Sequence, residues 1–159
     1  MKDVAIVMFE NTSIKGKDLR EIYETRNSRD IIELIFKNKF KLSHKDIIKM
    51  HKMLVKDLDI DIGYKRFPNI LVGKRVELAP PERVYEKMDK LLKWIRENPD
   101  RLHPIKLAAV SHGKFEKIHP FQDGNGRIGR FLINVIFIQN KYPPLIIRKS
   151  QRVANLTAL

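Results

Sequence analysis

The sequence predicts an all-α protein, a single bundle of helices with one small β-hairpin attached. Apolar residues recur at helical spacing through most of the 159 residues. Serine and proline signals for helix starts stand in front of several of these segments. One segment, residues 63–78, breaks the helical period and has the proline, asparagine and glycine pattern of a hairpin.

The first half of the chain is predicted to hold three helices. The apolar residues of 19–23 indicate a short helix, and those of 31–36 indicate a second one. Ser43 followed by Asp46 resembles a capping box with Asp in place of Glu or Gln, and it opens an amphipathic helix over 47–55. The hairpin of 63–78 follows and is expected to be an exposed flap, since a lone hairpin on a helical protein is usually a flap or arm rather than a core sheet.

The second half is predicted to hold three more helices. Pro80 and Pro81 suit a helix start, and the helix they open stops at Asn98. Pro104 opens the next helix. Residues 128–140 are strongly apolar, which favours a helix buried at the centre of the bundle.

Length and composition limit the class of protein. A chain of 159 residues fits one domain, which we place at 1–159. The absence of cysteine excludes disulfides, thiolate nucleophiles and cysteine-containing zinc sites. The apolar run 4–9 is too short to span a bilayer, and Lys or Arg interrupts every later run. We therefore expect a soluble, cytoplasmic protein that does not bind membranes.

The charge is strongly positive. Lys and Arg number 32 against 19 Asp and Glu, for a formal net charge of +13. Such an excess is typical of proteins that bind nucleic acid, an anionic membrane or a phosphate-rich ligand.

One segment between two predicted helices carries the chemistry, namely residues 119–130, His-Pro-Phe-Gln-Asp-Gly-Asn-Gly-Arg-Ile-Gly-Arg. A loop that enters a helix N-terminus presents unpaired backbone N–H groups to anions. Gly124 and Gly126 allow the sharp turn and close approach that a phosphate site needs. Arg127 and Arg130, three residues apart, are placed to add charge near the first helical turn.

An acid inside a phosphate site requires an explanation. Asp123 is the single carboxylate from 117 to 159, and Mg²⁺, which is commonly held by one or two carboxylates plus substrate phosphates, resolves the conflict. His119 is the titratable base of the loop and can accept a proton from a hydroxyl at cellular pH. The residues therefore indicate transfer of a phosphate-bearing group from a metal-bound nucleotide to a hydroxyl. Taken singly, each feature also fits a plain turn, a structural histidine or a solvated helix face.

Residues 119–130 resemble the signature of the Fic domain family (Fic/Doc, Fido), His-x-Phe-x-(Asp/Glu)-Gly-Asn-(Gly/Lys)-Arg-x-x-Arg, at every defined position. The resemblance extends over roughly 40–152 and takes in the segment before the motif, the Tyr-Pro-Pro after it and the flap with its Pro-Pro exit. It implies a Fic-type helical bundle and a protein adenylyltransferase, an enzyme that moves AMP from ATP to a Ser, Thr or Tyr hydroxyl of a protein.

The resemblance also implies roles for individual residues. His119 would be the general base and Asp123 would hold Mg²⁺, while Phe121 would anchor the loop in the core. The ATP phosphates would be bound by the following residues: Gly124, Asn125, Gly126, Arg127, Ile128, Gly129 and Arg130. The flap would hold the target segment by strand addition through four residues: Asn69, Ile70, Leu71 and Val72.

Two ends of the chain depart from the family pattern. Residues 1–15 resemble an inhibitory helix, (Ser/Thr)-x-x-x-Glu-(Gly/Asn)-Asn, whose glutamate pairs with the second motif arginine. Glu10 and Asn11 fit this pattern, whereas Ile6 and Thr12 do not. Asn155 stands where the family commonly has an aromatic residue, which leaves the base selectivity open.

Several alternatives stay open at this point. The same core could transfer another phosphate-linked group as a phosphotransferase, or remove AMP as a de-AMPylase. It could act as a toxin-like module regulated by a partner. A basic nucleic-acid-binding protein with a vestigial site is a further alternative, which the absence of a leftover helix-turn-helix disfavours. A homodimer is compatible with the sequence, and the oligomeric state is undetermined.

Overall fold

The computed structural model describes residues 19–70 and 76–145. In these ranges the chain forms five helices: α1 (Leu19–Phe36), α2 (His44–Leu54), α3 (Pro81–Glu97), α4 (Pro104–Ile118) and α5 (Asn125–Gln139). The all-α prediction is confirmed. No helix within these ranges has both the length and the apolar character needed to cross a membrane.

Helix α1 corrects the sequence prediction, which gave two short helices over 19–23 and 31–36. The structure has one continuous helix, Leu19–Phe36. The polar stretch between the two apolar groups contains no Gly or Pro, and Asn27 in its middle is buried. Its side-chain amide donates to two backbone carbonyls, that of Leu54 at the end of α2, at 3.0 Å, and that of Lys56 just after it, at 2.7 Å. A polar residue thus occupies a core position of α1. Because it interrupts the spacing of apolar residues, that spacing does not indicate one continuous helix.

Helix α2 begins as predicted at a serine cap. The Ser43 hydroxyl accepts from the Asp46 N–H at 3.2 Å. The reciprocal half of the capping box is replaced, because the Asp46 carboxylate accepts from the Lys41 N–H at 2.6 Å. Helix α3 begins at Pro81 and ends at Glu97, with Asn98 as its C-cap, also as predicted.

Helix α5 is the centre of the bundle. Eight of its 15 residues are buried, in agreement with its apolar sequence. Its side chains pack in one continuous core with those of the other four helices. Within the described residues, α4 and α5 pack against each other more extensively than any other pair of helices, and the turn that carries the motif joins them.

The predicted hairpin is not seen in the described residues. Residues 71–75 lie outside them, and neither 63–70 nor 76–80 contains a strand. Instead, Tyr64 forms an isolated antiparallel bridge with Phe121, and the Lys65 N–H donates to the Pro120 carbonyl at 2.8 Å. The described base of the flap is thus attached to the motif.

Candidate active site

The motif turn connects the C-terminus of α4 to the N-terminus of α5. His119 ends α4 in the left-handed conformation, with φ 49°, and its N–H donates to the Phe115 carbonyl at 2.8 Å. Gly124 precedes α5 with φ 86°, and a Cβ there would lie 3.0 Å from the Leu54 side chain. Glycine is therefore needed at 124 both for the backbone conformation and for the contact with α2.

Asn125 holds this turn closed. Its side-chain Oδ1 accepts from the Phe121 N–H at 2.8 Å, and its Nδ2 donates to the Phe121 carbonyl at 2.7 Å. Phe121 is fully buried, as the resemblance implied. Because the Asn125 amide is committed to Phe121, a contact from Asn125 to an anion would use its backbone N–H.

His51 of α2 packs against the motif turn. It is not identified as a site residue from the sequence. It is fully buried and stacks on Phe121, with ring centroids 4.0 Å apart. The Gly63 N–H donates to its Nδ1 at 3.3 Å, so Nε2 carries the proton and donates to the Asp123 carbonyl at 3.0 Å. Burial lowers the pKa of His51. In the sequence it is one more member of the apolar face of α2, so nothing distinguished it.

His119 is mostly buried beside α4. Burial is the main cause that lowers its pKa, and the nearby ammonium of Lys65 lowers it further; the Glu116 backbone and Asp123 act in the opposite direction. The imidazole is therefore neutral at pH 7, as a general base must be. Lys65 is itself buried, a place that its residue type did not predict.

Asp123 takes part in an ion-pair network that joins the motif to α1. Its Oδ2 accepts from Arg20 Nη2 at 2.7 Å, and its Oδ1 accepts from the Gly124 N–H at 2.6 Å. Arg20 Nε lies 3.0 Å from Glu24, and Glu24 lies 2.9 Å from Arg127 Nη1. Arg127 Nη2 is 3.9 Å from Asp123, which completes the ring. Neither Arg20 nor Glu24 is a candidate from the sequence, because the motif residues that they contact, Asp123 and Arg127, are about a hundred residues away.

Arg130 lies over the first turn of α5. A Cβ built at Gly126 would be 3.5 Å from Arg130 Nη1, and the charge of Arg130 contributes to lowering the pKa of His112, after burial. Both motif arginines are thus close to the N-terminal end of α5, as their spacing predicted. Ile128 and Gly129 are buried behind them.

The described part of the flap reaches the motif. The Asn69 amide donates to the carbonyls of Phe121, at 3.1 Å, and Gln122, at 3.2 Å, and Ile70 is 89% exposed. Leu71 and Val72 lie outside the described residues, as does Glu10. Their predicted roles stay predictions.

The chemistry of the site fits a magnesium ion shared with substrate. Within 19–70 and 76–145 no group of three or more His, Asp or Glu side chains could form a cage for a metal. Asp123 supplies one carboxylate, with 44% of the side chain exposed. Mg²⁺ bound by one carboxylate takes its other ligands from phosphates and water, so the donor set suits an ion that arrives with a nucleotide.

Comparison with known proteins shows that this chain is similar to proteins of the Fic/DOC family. The model of the Fic/DOC family matches residues 41–137. A protein adenylyltransferase fic-1 of Caenorhabditis briggsae is 32% identical over 153 residues, which are 92% of this chain and 30% of that protein. A protein adenylyltransferase Fic of Drosophila grimshawi is 34% identical over 145 residues, 90% of this chain and 28% of that protein. The chain therefore spans less than a third of the length of these relatives.

Solved structures show the same fold. A Fic domain containing signaling protein from Bacteroides thetaiotaomicron superposes with a TM-score of 0.88 at 26% identity, over 98% of this chain and 62% of that one. Fic-1 from C. elegans superposes with a TM-score of 0.78 at 26% identity, over 98% of this chain and 48% of that one. Sequence and structure together show that this chain belongs to the Fic/DOC family.

Proposed function

We propose that the protein is an Mg²⁺-dependent adenylyltransferase that transfers AMP from ATP to a Ser, Thr or Tyr hydroxyl of a protein. The observation that carries this proposal is the motif turn. It holds a buried, neutral imidazole at the end of α4 and an accessible carboxylate just before two arginines at the start of α5. The relatives named protein adenylyltransferase support the same activity.

In the proposed reaction, His119 takes the proton of the target hydroxyl as its oxygen attacks the α-phosphorus of ATP. The bond from that phosphorus to the bridging oxygen of pyrophosphate breaks, and pyrophosphate leaves with the electron pair. Asp123 would hold Mg²⁺, which neutralises phosphate charge when bound. The N-terminal N–H groups of α5 with Arg127 and Arg130 would bind the phosphates.

The flap is proposed to hold the target. Asn69 is bound to the carbonyls of 121 and 122, so the chain that continues from it starts next to the motif. An extended target segment lying along 69–72 would bring its hydroxyl to His119.

Incubation with ATP labelled either at the α- or at the γ-phosphorus tests the function. Protein-bound label from α-labelled ATP alone, dependent on Mg²⁺ and lost in His119→Ala with ATP binding retained, is expected. Label from γ-labelled ATP would instead indicate a phosphotransferase. Release of AMP from a modified protein would indicate a de-AMPylase. Salt-sensitive binding of DNA or RNA that survives His119→Ala, without any transfer, would favour a nucleic-acid-binding protein.

A further inference from the structure

The carboxylate of Glu116 lies between two histidines on one face of α4. Its Oε1 is 3.9 Å from His112 Nδ1, and its Oε2 is 3.9 Å from His119 Nδ1. The three side chains are mostly buried, with 20%, 16% and 14% of their surfaces exposed for Glu116, His112 and His119. Each oxygen of one carboxylate thus faces a different imidazole.

Helix α5 closes this group from the other side. A Cβ built at Gly129 would lie 2.9 Å from Glu116 Oε1 and 3.1 Å from His112 Nδ1. Any side chain at 129 would therefore push the carboxylate away from the histidines. The position of the Glu116 carboxylate therefore depends on glycine at 129.

A neutral imidazole has one N–H, and its position decides which nitrogen can act as a base. Burial lowers the pKa of both His112 and His119, so both rings are neutral at pH 7. At His119, Glu116 offers two acceptors near the ring: its carboxylate, with Oε2 3.9 Å from Nδ1, and its backbone carbonyl. The 3.9 Å separation is longer than a hydrogen bond, as is common in sites without substrate, where such contacts tighten on binding.

We propose that Glu116 is a positioning residue whose carboxylate accepts the Nδ1–H of His119 and so leaves Nε2 to take the proton of the target hydroxyl. His112 donates its Nδ1–H to the other carboxylate oxygen and keeps the carboxylate in place. This inference rests on the proposed role of His119 as the base. It adds a residue three positions before the motif to the machinery of the reaction.

Two variants separate the carboxylate from the backbone carbonyl. Glu116→Gln keeps an acceptor of the same shape, whereas Glu116→Met keeps the volume and removes the acceptor. Glu33→Met, at an exposed position of α1, is the matched control. Nitrogen-15 spectra of the imidazoles report the tautomer of His119 directly, with His119→Gln identifying its signals. This readout needs no transfer of AMP, so it stands even where the proposed function fails.

The expected result is an Nδ1–H tautomer of His119 in the wild type that is retained in Glu116→Gln and lost in Glu116→Met. The kcat for AMP transfer falls by about tenfold or more in Glu116→Met, a fraction of what a general base contributes, with the KM for ATP unchanged. An Nε2–H tautomer in the wild type would overturn the proposal. So would a folded Glu116→Met protein that keeps the wild-type tautomer and kcat, since the backbone carbonyl would then suffice.

Discussion

Arg20 Nη2 donates to Asp123 Oδ2 across 2.7 Å. The guanidinium of α1 therefore occupies one oxygen of the carboxylate that is proposed to hold Mg²⁺, and the ion must compete with it. Both side chains are half exposed, at 54% and 44%, so the competition is weakened by solvent.

From this pair we predict that Arg20→Ala binds divalent ions more tightly in the presence of ATP. The gain in affinity should be about two- to fivefold, as expected when an exposed ion pair no longer competes. A titration with Mn²⁺ followed by electron paramagnetic resonance measures it without relying on catalysis. Arg29→Ala, which removes an arginine of the same helix that pairs with Glu33, should leave the affinity unchanged. Equal affinities in the wild type and Arg20→Ala would show that the pair does not compete.

Substitution of two glycines by alanine is expected to have opposite effects on the free energy of unfolding. Gly124→Ala places a residue with a side chain in a left-handed backbone conformation and brings its Cβ against Leu54. The free energy of unfolding should therefore fall by roughly 1–3 kcal/mol. Gly113→Ala lies in α4 with nothing within 4 Å of the new Cβ, so it should stabilise by about 0.5–1 kcal/mol. Urea unfolding at a constant m-value measures both. A neutral Gly124→Ala would mean that the turn relaxes around the new side chain.

Asn27→Ala tests the buried polar contact that joins α1 to the end of α2. The change leaves the carbonyls of Leu54 and Lys56 without their side-chain donor, so we expect a loss of about 2–3 kcal/mol. Ser28→Ala, which removes only a hydroxyl bonded to the Glu24 carbonyl of its own helix, is the control. A similar small loss in both variants would indicate that water replaces the Asn27 amide.

Asn27 also shows why α1 could not be read from the sequence as one helix. Apolar residues at helical spacing predict a helix, and a buried asparagine interrupts that spacing. Its side-chain amide donates hydrogen bonds to backbone carbonyls of a distant segment. Helices α2, α3 and α4 were predictable because Ser43, Pro81 and Pro104 mark their starts, and α5 was predictable from its apolar residues.

The residues of the candidate site also fall into those that the sequence predicts and those that it does not. The motif itself is local, so His119, Asp123 and the two arginines could be identified from spacing. Arg20 and Glu24 could not, because they reach the motif only through the packing of α1 against α5. His51 could not be identified for a different reason. It is a polar residue at a fully buried position on the apolar face of α2.

The stability of the protein is expected to fall with pH below about 6.5, the ordinary pKa of histidine. Burial lowers the pKa of His112 and His119 in the folded state, so the unfolded chain takes up protons first as the pH falls. Stability then rises with pH wherever the unfolded state binds more protons. Unfolding in urea at pH 7.5 and pH 5.5 measures the difference, and His112→Gln should reduce it. Equal stability at the two pH values would contradict the prediction.

Glu10→Gly tests whether the segment before α1 restrains the site. By the family resemblance Glu10 would pair with Arg130, so a charge that should meet the terminal phosphate of ATP would be engaged by a carboxylate at rest. Removing that carboxylate is expected to raise the attachment of AMP to the protein itself, measured with α-labelled ATP. Glu10→Gly combined with His119→Ala should show none, because the base is missing. If Glu10→Gly binds ATP as the wild type does and incorporates no more AMP, Arg130 is not restrained by Glu10, and the departures at Ile6 and Thr12 mark a segment without an inhibitory role.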